Sequence, residues 1–377
     1  MLRADAPVVL LQHGGLDNLS GKTGLAMLRY RHGPIVAVID PAHAGRSLTA
    51  VTGIEREVPV VASLQEALGP LAEGRAGQTG VAVVGLAPSG GRLPGAMRAD
   101  LAAALRAGLC VASGLHSRLG DDPELAALVQ PGRWIWDLRQ EPADLRVAAA
   151  AAAALPCRRV LAVCSDMAVG KMSVCLELQA AAQRRGIEAR FVGTGQAGIL
   201  ISGGGVALDA VRVDYAAGAV EAAVLAAAAA APADALVLVE GQGSLCHPGS
   251  TATLPLLRGS QPTDLLLVHR AGQTTIRHHP AIPLPPLGEL IASVEALAAL
   301  GRPAGSAACP PRVAAIALNT AHLDETSAAA AIASITEATG LACDDPVRHG
   351  GAALLEALLG PTKSGARVAE RSLRRRT

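Results

Sequence analysis

The sequence predicts an α/β protein made of two consecutive parallel-sheet domains, and three observations predict it. Short apolar runs bounded by Gly, Pro and Asp recur along the 377 residues. Helix-like stretches lie between them, and the alternation starts afresh after an Ala-rich, Pro-punctuated connector at 140–156. Apolar strands alternating with helical crossovers make a parallel sheet covered on both faces. At about 100 to 200 residues per domain the length suits two or three domains.

In the first half the predicted strands are 7–12 (P-V-V-L-L-Q), 35–40 (I-V-A-V-I-D), 81–86 (V-A-V-V-G-L) and 108–113 (G-L-C-V-A-S), with helices at 63–71 and 94–107. This first α/β series ends near Leu138, and the connector that follows is expected to be partly helical. A second series opens with R-R-V-L-A-V-C and continues through strands at 159–164, 189–192, 235–240, 264–269 and 312–319. The expected domains are therefore 1–150, an α/β domain with its connector, and 151–362, a second α/β domain. The polar, basic segment 363–377 is expected to be a solvated, disordered tail.

Composition removes several classes of function. Lys and Arg number 33 against 32 Asp and Glu, a formal charge of +1, so there is no broad basic surface for a phosphodiester backbone. Two Trp, two Tyr and one Phe leave almost no platforms for stacking bases. The seven cysteines include no C-x-x-C pair and no zinc spacing, which fits a reduced, cytoplasmic setting. The N-terminus lacks a long apolar stretch, and the Ala-rich runs at 148–154 and 222–231 fall well short of the roughly 20 residues of a membrane span. The expected partners are small-molecule substrates and further copies of the chain, with neither nucleic acid nor membrane.

The sharpest local feature is V-L-A-V-C-S-D-M-A-V-G-K-M-S-V-C, an apolar strand leading through a loop into a helix. Such a loop aims backbone N–H groups and the positive helix end at an anion, while a lysine reaches its outer oxygens. Ser165, Asp166, Gly170, Lys171, Met172 and Ser173 are the candidate phosphate-binding residues. The pattern is irregular: Ser165 stands at the first glycine position, and Met172 separates Lys171 from the hydroxyl of Ser173, which puts magnesium ligation by Ser173 in doubt. Only three lysines occur in a chain that otherwise uses Arg, so Lys171 marks a place that needs a compact ammonium. A second segment ending Gly21-Lys22-Thr23 has its preceding glycine, Gly15, one residue too far back for the same pattern.

The strand A-L-V-L-V-E-G-Q-G-S-L-C-H-P delivers Glu240 at its C-terminal end, the edge at which open α/β sheets bind ligands. Glu240 is a candidate either for holding a metal through water or for taking a proton from a nucleophile, and His247 is the second candidate base, against the alternative of a structural loop histidine. Gln242 and Gly243 follow as candidate substrate contacts. F-V-G-T-G-Q-A-G-I-L-I-S-G-G-G-V reads as too glycine-rich for a helix and as either an anion nest carrying Gln196 or a plain loop. In H-R-A-G-Q-T-T-I-R-H-H-P, Arg270 and Arg277 are candidate clamps for substrate carboxylates; no carboxylate sits at ligand spacing, so no metal is expected there. Asn319 ends its strand as an amide suited either to an adenine edge or to a turn.

Together, C-S-D-M-A-V-G-K-M-S, F-V-G-T-G-Q-A-G-I-L-I-S-G, V-E-G-Q-G-S-L-C-H-P and L-R-G-S-Q-P-T-D-L-L-L-V-H-R-A-G resemble a bacterial P-loop family long catalogued as a domain of unknown function. The N-terminal segments K-T-G-L-A-M-L-R-Y, V-I-D-P-A-H-A-G, G-L-A-P-S-G-G-R-L-P and V-A-S-G-L-H-S-R-L extend the resemblance in order. Members similar to this chain are D-glutamate N-acetyltransferases of the DgcN type. The resemblance implies an N-terminal Rossmann-like domain, a P-loop NTPase-like second domain, and transfer of acetyl from acetyl-CoA to the amino group of D-glutamate or a similar acidic amino acid. V-I-D-P-A-H-A-G is also similar to CoA-binding Rossmann-like domains. The loop at 240–243 is similar to that of dethiobiotin synthetase, which keeps an ATP- and magnesium-dependent ligase or kinase as the alternative.

Overall fold

The computed structural model describes residues 2–74, 78–87, 93–304 and 310–360; the expected tail at 363–377 lies outside them. The strands are β1 (Val8–Leu11), β2 (Ile35–Ile39), β3 (Val60–Val61), β4 (Val81–Val84), β5 (Cys110–Ser113), β6 (Ile135–Asp137), β7 (Arg158–Cys164), β8 (Ala189–Val192), β9 (Leu236–Val239), β10 (Asp264–Arg270), β11 (Thr275–Ile276), β12 (His279–Pro283), β13 (Arg312–Asn319) and β14 (Ala342–Asp344). They form two six-stranded parallel sheets, ordered β3-β2-β1-β4-β5-β6 and β14-β13-β10-β7-β9-β8, and an antiparallel hairpin of β11 and β12. The α/β class and the two parallel sheets follow the sequence expectation.

The chain divides into two compact units. The first runs to Ala143 and takes in Gly193–Val211; the second is Asp144–Val192 and continues from Arg212. In the first unit alternate strand residues feed two cores. Val8, Leu10, Val38 and Val83 face one side with Met27 and Leu28, and Val9, Leu11, Ile39 and Val84 face the other with Leu64, Leu71 and Leu101. Continuous apolar runs are what a sheet buried on both faces requires. Segment 193–211 joins the first of these cores through Ile199, Leu200 and Ala207. Burying side chains such as Ile199 and Leu200 stabilises by roughly 1.5 to 3 kcal/mol each, and Ala207 adds less.

That segment corrects one expectation. The glycine-rich stretch contains the helix Gln196–Ser202. Its glycines punctuate the ends: Gly195 precedes the first turn and Gly203 closes the last at φ 79°, while Gly198 alone lies inside. A side chain on Gly193 would come within 2.6 Å of the Gly198 carbonyl carbon, so a close backbone approach is the reason for glycine there.

Segment 21–23 also resolves. Gly21 precedes the helix Lys22–Tyr30, but the Lys22 N–H donates to Leu19 O and the Gly24 N–H to Gly85 O at 2.9 Å. Amides already satisfied by protein carbonyls offer little to an anion. Among the described residues, no helix is long and apolar enough to cross a membrane.

Candidate functional site

In the second sheet β7 is central, flanked by β9 and β10, with β13 beyond β10. Because all four run parallel, the loops that follow them emerge at one edge of the sheet. After Cys164 the chain reverses into the helix Lys171–Arg184, with Ala168 (φ 55°) and Gly170 (φ 117°) taking the left-handed conformations. The turn therefore makes no demand for glycine at 165, which accounts for Ser165 in that position. No side chain caps the helix, and its first internal bond runs from Val174 N–H to Gly170 O at 3.0 Å. The N–H groups of residues 171–173 precede that bond and sit at the positive helix end.

Lys171 is buried. Its Nζ donates to Gly243 O at 3.0 Å and to Cys164 Sγ at 2.9 Å. Burial pushes the Cys164 thiol up, with Lys171 pulling the other way, so the sulfur is a neutral partner that itself donates to Gly243 O at 2.9 Å. Among the described residues no carboxylate lies within ion-pair distance of Lys171. A buried ammonium with neutral partners alone is costly, and an arriving anion relieves that cost.

Glu240 follows β9 and is buried, its N–H donating to Val192 O at 3.0 Å. Gly241 lets the chain leave β9 against β7: a Cβ there would collide with Ala162 O and come within 2.7 Å of Lys171 Cδ. Burial, and after it the charge of Glu240, push the Cys175 thiol up while Lys171 opposes them. Gly243 adopts φ 63°, and Ser244 Oγ donates to Ser165 O at 2.8 Å, tying the two loops together.

Three further side chains fasten the phosphate loop. Asp166 Oδ2 accepts from Gln273 Nε2 at 2.6 Å and from the Arg277 N–H at 2.7 Å, and Oδ1 accepts from Met167 N–H at 2.7 Å. Asn319 Nδ2 donates to Val169 O at 2.9 Å, and its Oδ1 accepts from Ala321 N–H. Ser165 Oγ lies 2.8 Å from His269 Nδ1. These bonds tie the loop to the ends of β10 and β13 and to the segment that follows β10.

Comparison with known proteins now bears on this geometry. Residues 146–355 match the P-loop domain described as domain of unknown function DUF1611, C-terminal, and residues 41–141 match its Rossmann-like N-terminal domain. The chain belongs to the DUF1611 family. A DUF1611 protein from Anabaena variabilis, solved by crystallography, is 52% identical with a TM-score of 0.84, covering 94% of this chain and 99% of its own. A D-glutamate N-acetyltransferase from Tritonibacter scottomollicae is 37% identical over 290 residues, 76% of this chain and 84% of the relative. A second D-glutamate N-acetyltransferase, from a Pseudoalteromonas species, is 33% identical over 273 residues, 71% of this chain and 78% of the relative.

In this DUF1611 chain the second unit brings together, at one sheet edge, the loop with Ser165, Asp166, Gly170, Lys171, Met172 and Ser173, and the loop with Glu240, Gln242, Gly243 and His247. Met172 and Ser173 are half-buried in the first helical turn. His247 is half-buried; its Nδ1 accepts from Gly249 N–H at 3.1 Å, and its ring meets His279 edge-on at 5.3 Å. In the neutral ring that bond puts the proton on Nε2, so His247 presents a donor. Arg270 ends β10 half-buried, and Arg277 is exposed on the hairpin with its backbone held by Asp166. Gln196 belongs to the first unit, buried against Gly114. Sequence reasoning passed over Cys164, Ser244, Gln273 and the bond between Ser165 and His269. The one signal available was the placement of each at or just beyond a strand's C-terminal end.

Proposed function

We propose that the chain is an N-acetyltransferase that moves acetyl from acetyl-CoA to the amino group of D-glutamate or a similar acidic amino acid. The observation that carries the reading is Lys171, a buried cation with neutral partners at an uncapped helix N-terminus, in a chain whose curated relatives are D-glutamate N-acetyltransferases. CoA bears a pyrophosphate and a ribose phosphate, and the site's donors suit such anions: Nζ of Lys171 and the N–H groups of 171–173. When bound, acetyl-CoA supplies an acetyl group activated as a thioester.

The chain's own residues do the rest. Glu240 takes a proton from the substrate ammonium, exposing the lone pair that attacks the acyl carbon. As the carbon–nitrogen bond forms, the carbon–sulfur bond breaks; of the two protons the nitrogen loses, one leaves through Glu240 and the other ends on the departing thiolate. N–H groups of 241–243 are donors for the acyl oxygen, and Arg270 and Arg277 are the cations for substrate carboxylates.

One observation favours the alternative of an ATP-dependent ligase or kinase: Glu240, after β9, and the loop of Lys171, after β7, follow neighbouring parallel strands, and an acidic residue with a phosphate-loop lysine is the pair a magnesium nucleotide uses. A single assay separates the two. Free thiol released from acetyl-CoA with D-glutamate, without ATP or magnesium and far more slowly with L-glutamate, supports the transferase. ATP turnover with a carboxylate acceptor, and no thiol release, overturns it.

A further inference from the structure

Ser165 and His269 form a buried pair that the transfer scheme above leaves without a role. Ser165 is fully buried at the end of the central strand β7. Its N–H donates to Val268 O at 3.1 Å and its carbonyl accepts from Ser244 Oγ, so its position is fixed from both ends. His269, on the adjacent strand β10, is 6% exposed, and its Nδ1 lies 2.8 Å from Ser165 Oγ.

The direction of that hydrogen bond follows from counting donors. Ser165 Oγ has no other partner among the described residues. Were Nδ1–H the donor, the serine proton would be sealed inside without an acceptor, a loss of about 1 to 3 kcal/mol. Ser165 therefore donates, Nδ1 accepts, and the ring proton resides on Nε2. Burial lowers the pKa of His269, so the ring stays neutral. His269 is then neither a base nor a cation; it is a neutral N–H donor with a fixed tautomer, and Nε2 has no acceptor among the described residues. Glu240 stands at the end of β9 on the other side of β7. The proton acceptor and the neutral donor thus flank the phosphate loop from opposite strands.

Resting on the transferase reading, we propose that His269 Nε2–H is a further hydrogen-bond donor to the acyl oxygen on which negative charge develops, acting with the N–H groups of 241–243, and that Ser165 is the positioning residue that sets its tautomer. A neutral donor suits this end of the sheet: an imidazolium would add a positive charge to the field acting on Glu240 from across β7 and lower its proton affinity.

Two substitutions separate donor from scaffold. His269→Asn keeps an acceptor near the Nδ1 position but loses the distal donor, and His269→Gln keeps a distal N–H. Removing one such donor costs about 10²- to 10³-fold in turnover, which is the fall expected for His269→Asn, with KM for acetyl-CoA little changed and substantial rescue in His269→Gln. A purely structural role would depress both variants together with their melting temperatures, and that result overturns the proposal. The second readout needs no activity: nitrogen-15 spectra of the ligand-free protein, assigned by the signal lost in His269→Asn. They should show the Nε2–H tautomer in wild type and its erosion in Ser165→Ala. An Nδ1–H tautomer in wild type refutes the assignment. Should wild type release no thiol with any acidic amino acid, the transferase reading and the acyl-oxygen role fall together, while the spectra still decide the tautomer.

Discussion

Lys171→Ala tests the site at its most exacting point. Of the three protons on Nζ, two are directed at Gly243 O and Cys164 Sγ, which leaves one for an incoming phosphate. A hydrogen bond to a charged group contributes about 1.5 to 3 kcal/mol, so truncation should weaken acetyl-CoA binding by roughly 10- to 100-fold. Folding should suffer far less. The two lost bonds contribute about 1 kcal/mol each, and they are offset by release of a buried cation whose partners are neutral. Lys171→Arg should rescue partly, because the stem runs close past Gly241 and the planar guanidinium cannot enter the space of a compact ammonium. Calorimetric titration of acetyl-CoA and of ATP into wild type and both variants is the measurement, with melting temperatures alongside. Equal affinities for all three proteins would mean that the loop at 165–173 is only a turn, and the reasoning from the unpaired cation would be wrong.

Glu240→Gln keeps shape and removes the charge; turnover should fall by about 10²- to 10⁴-fold with the acetyl-CoA dissociation constant nearly unchanged, and an unaltered turnover number would move the proton to water or to another group. Asp166→Asn should loosen the 271–277 segment, since a carboxylate oxygen that now accepts from Gln273 and Arg277 becomes a weaker, neutral acceptor; hydrogen exchange at the Arg277 amide should quicken, and unchanged exchange would show the latch to be dispensable. Gly241→Ala drives a methyl into Ala162 O and should cost about 1 to 3 kcal/mol, read as a lower melting temperature; a tolerated substitution would mean that β9 leaves the sheet by another path. His269 has a depressed pKa in the folded state, so the unfolded chain binds its proton first: its contribution to stability is complete above about 6.5 and declines as pH falls toward the lower folded value. Melting temperature should thus drop on acidification through that window more steeply in wild type than in His269→Asn, and parallel curves would exclude His269 as the source.

What could be read from the sequence was what repeats locally. Runs such as V-V-L-L and L-V-L-V announce strands because every position is apolar, and both sheets were legible for that reason. Strands of two or three residues, β3, β6, β11 and β14, carry too few residues for a pattern to accumulate, and β12, H-P-A-I-P, is largely exposed and carries no apolar run. The glycine-rich segment misled because composition counts glycines without their positions: Gly195 and Gly203 bracket a helix. In the site, the legible part was again local. Lys171 follows a glycine where the loop after an apolar strand enters its helix, and Glu240 precedes a glycine at the end of an apolar strand. The contacts that give those residues their properties were not legible, since each joins partners far apart in the chain. Cys164 meets Gly243 across 79 positions, Ser165 meets His269 across 104 and Asp166 meets Gln273 across 107. These pairs exist because strand order sets β7 between β9 and β10, and no window of sequence contains that order. The distinction matters for reading Asp166. By spacing it belongs to the phosphate-binding set, yet its carboxylate is committed to protein donors, so its role is to hold the backbone of the loop. A residue's type and spacing thus mark where chemistry can occur; its hydrogen-bond partners decide whether it performs that chemistry or holds the residues that do.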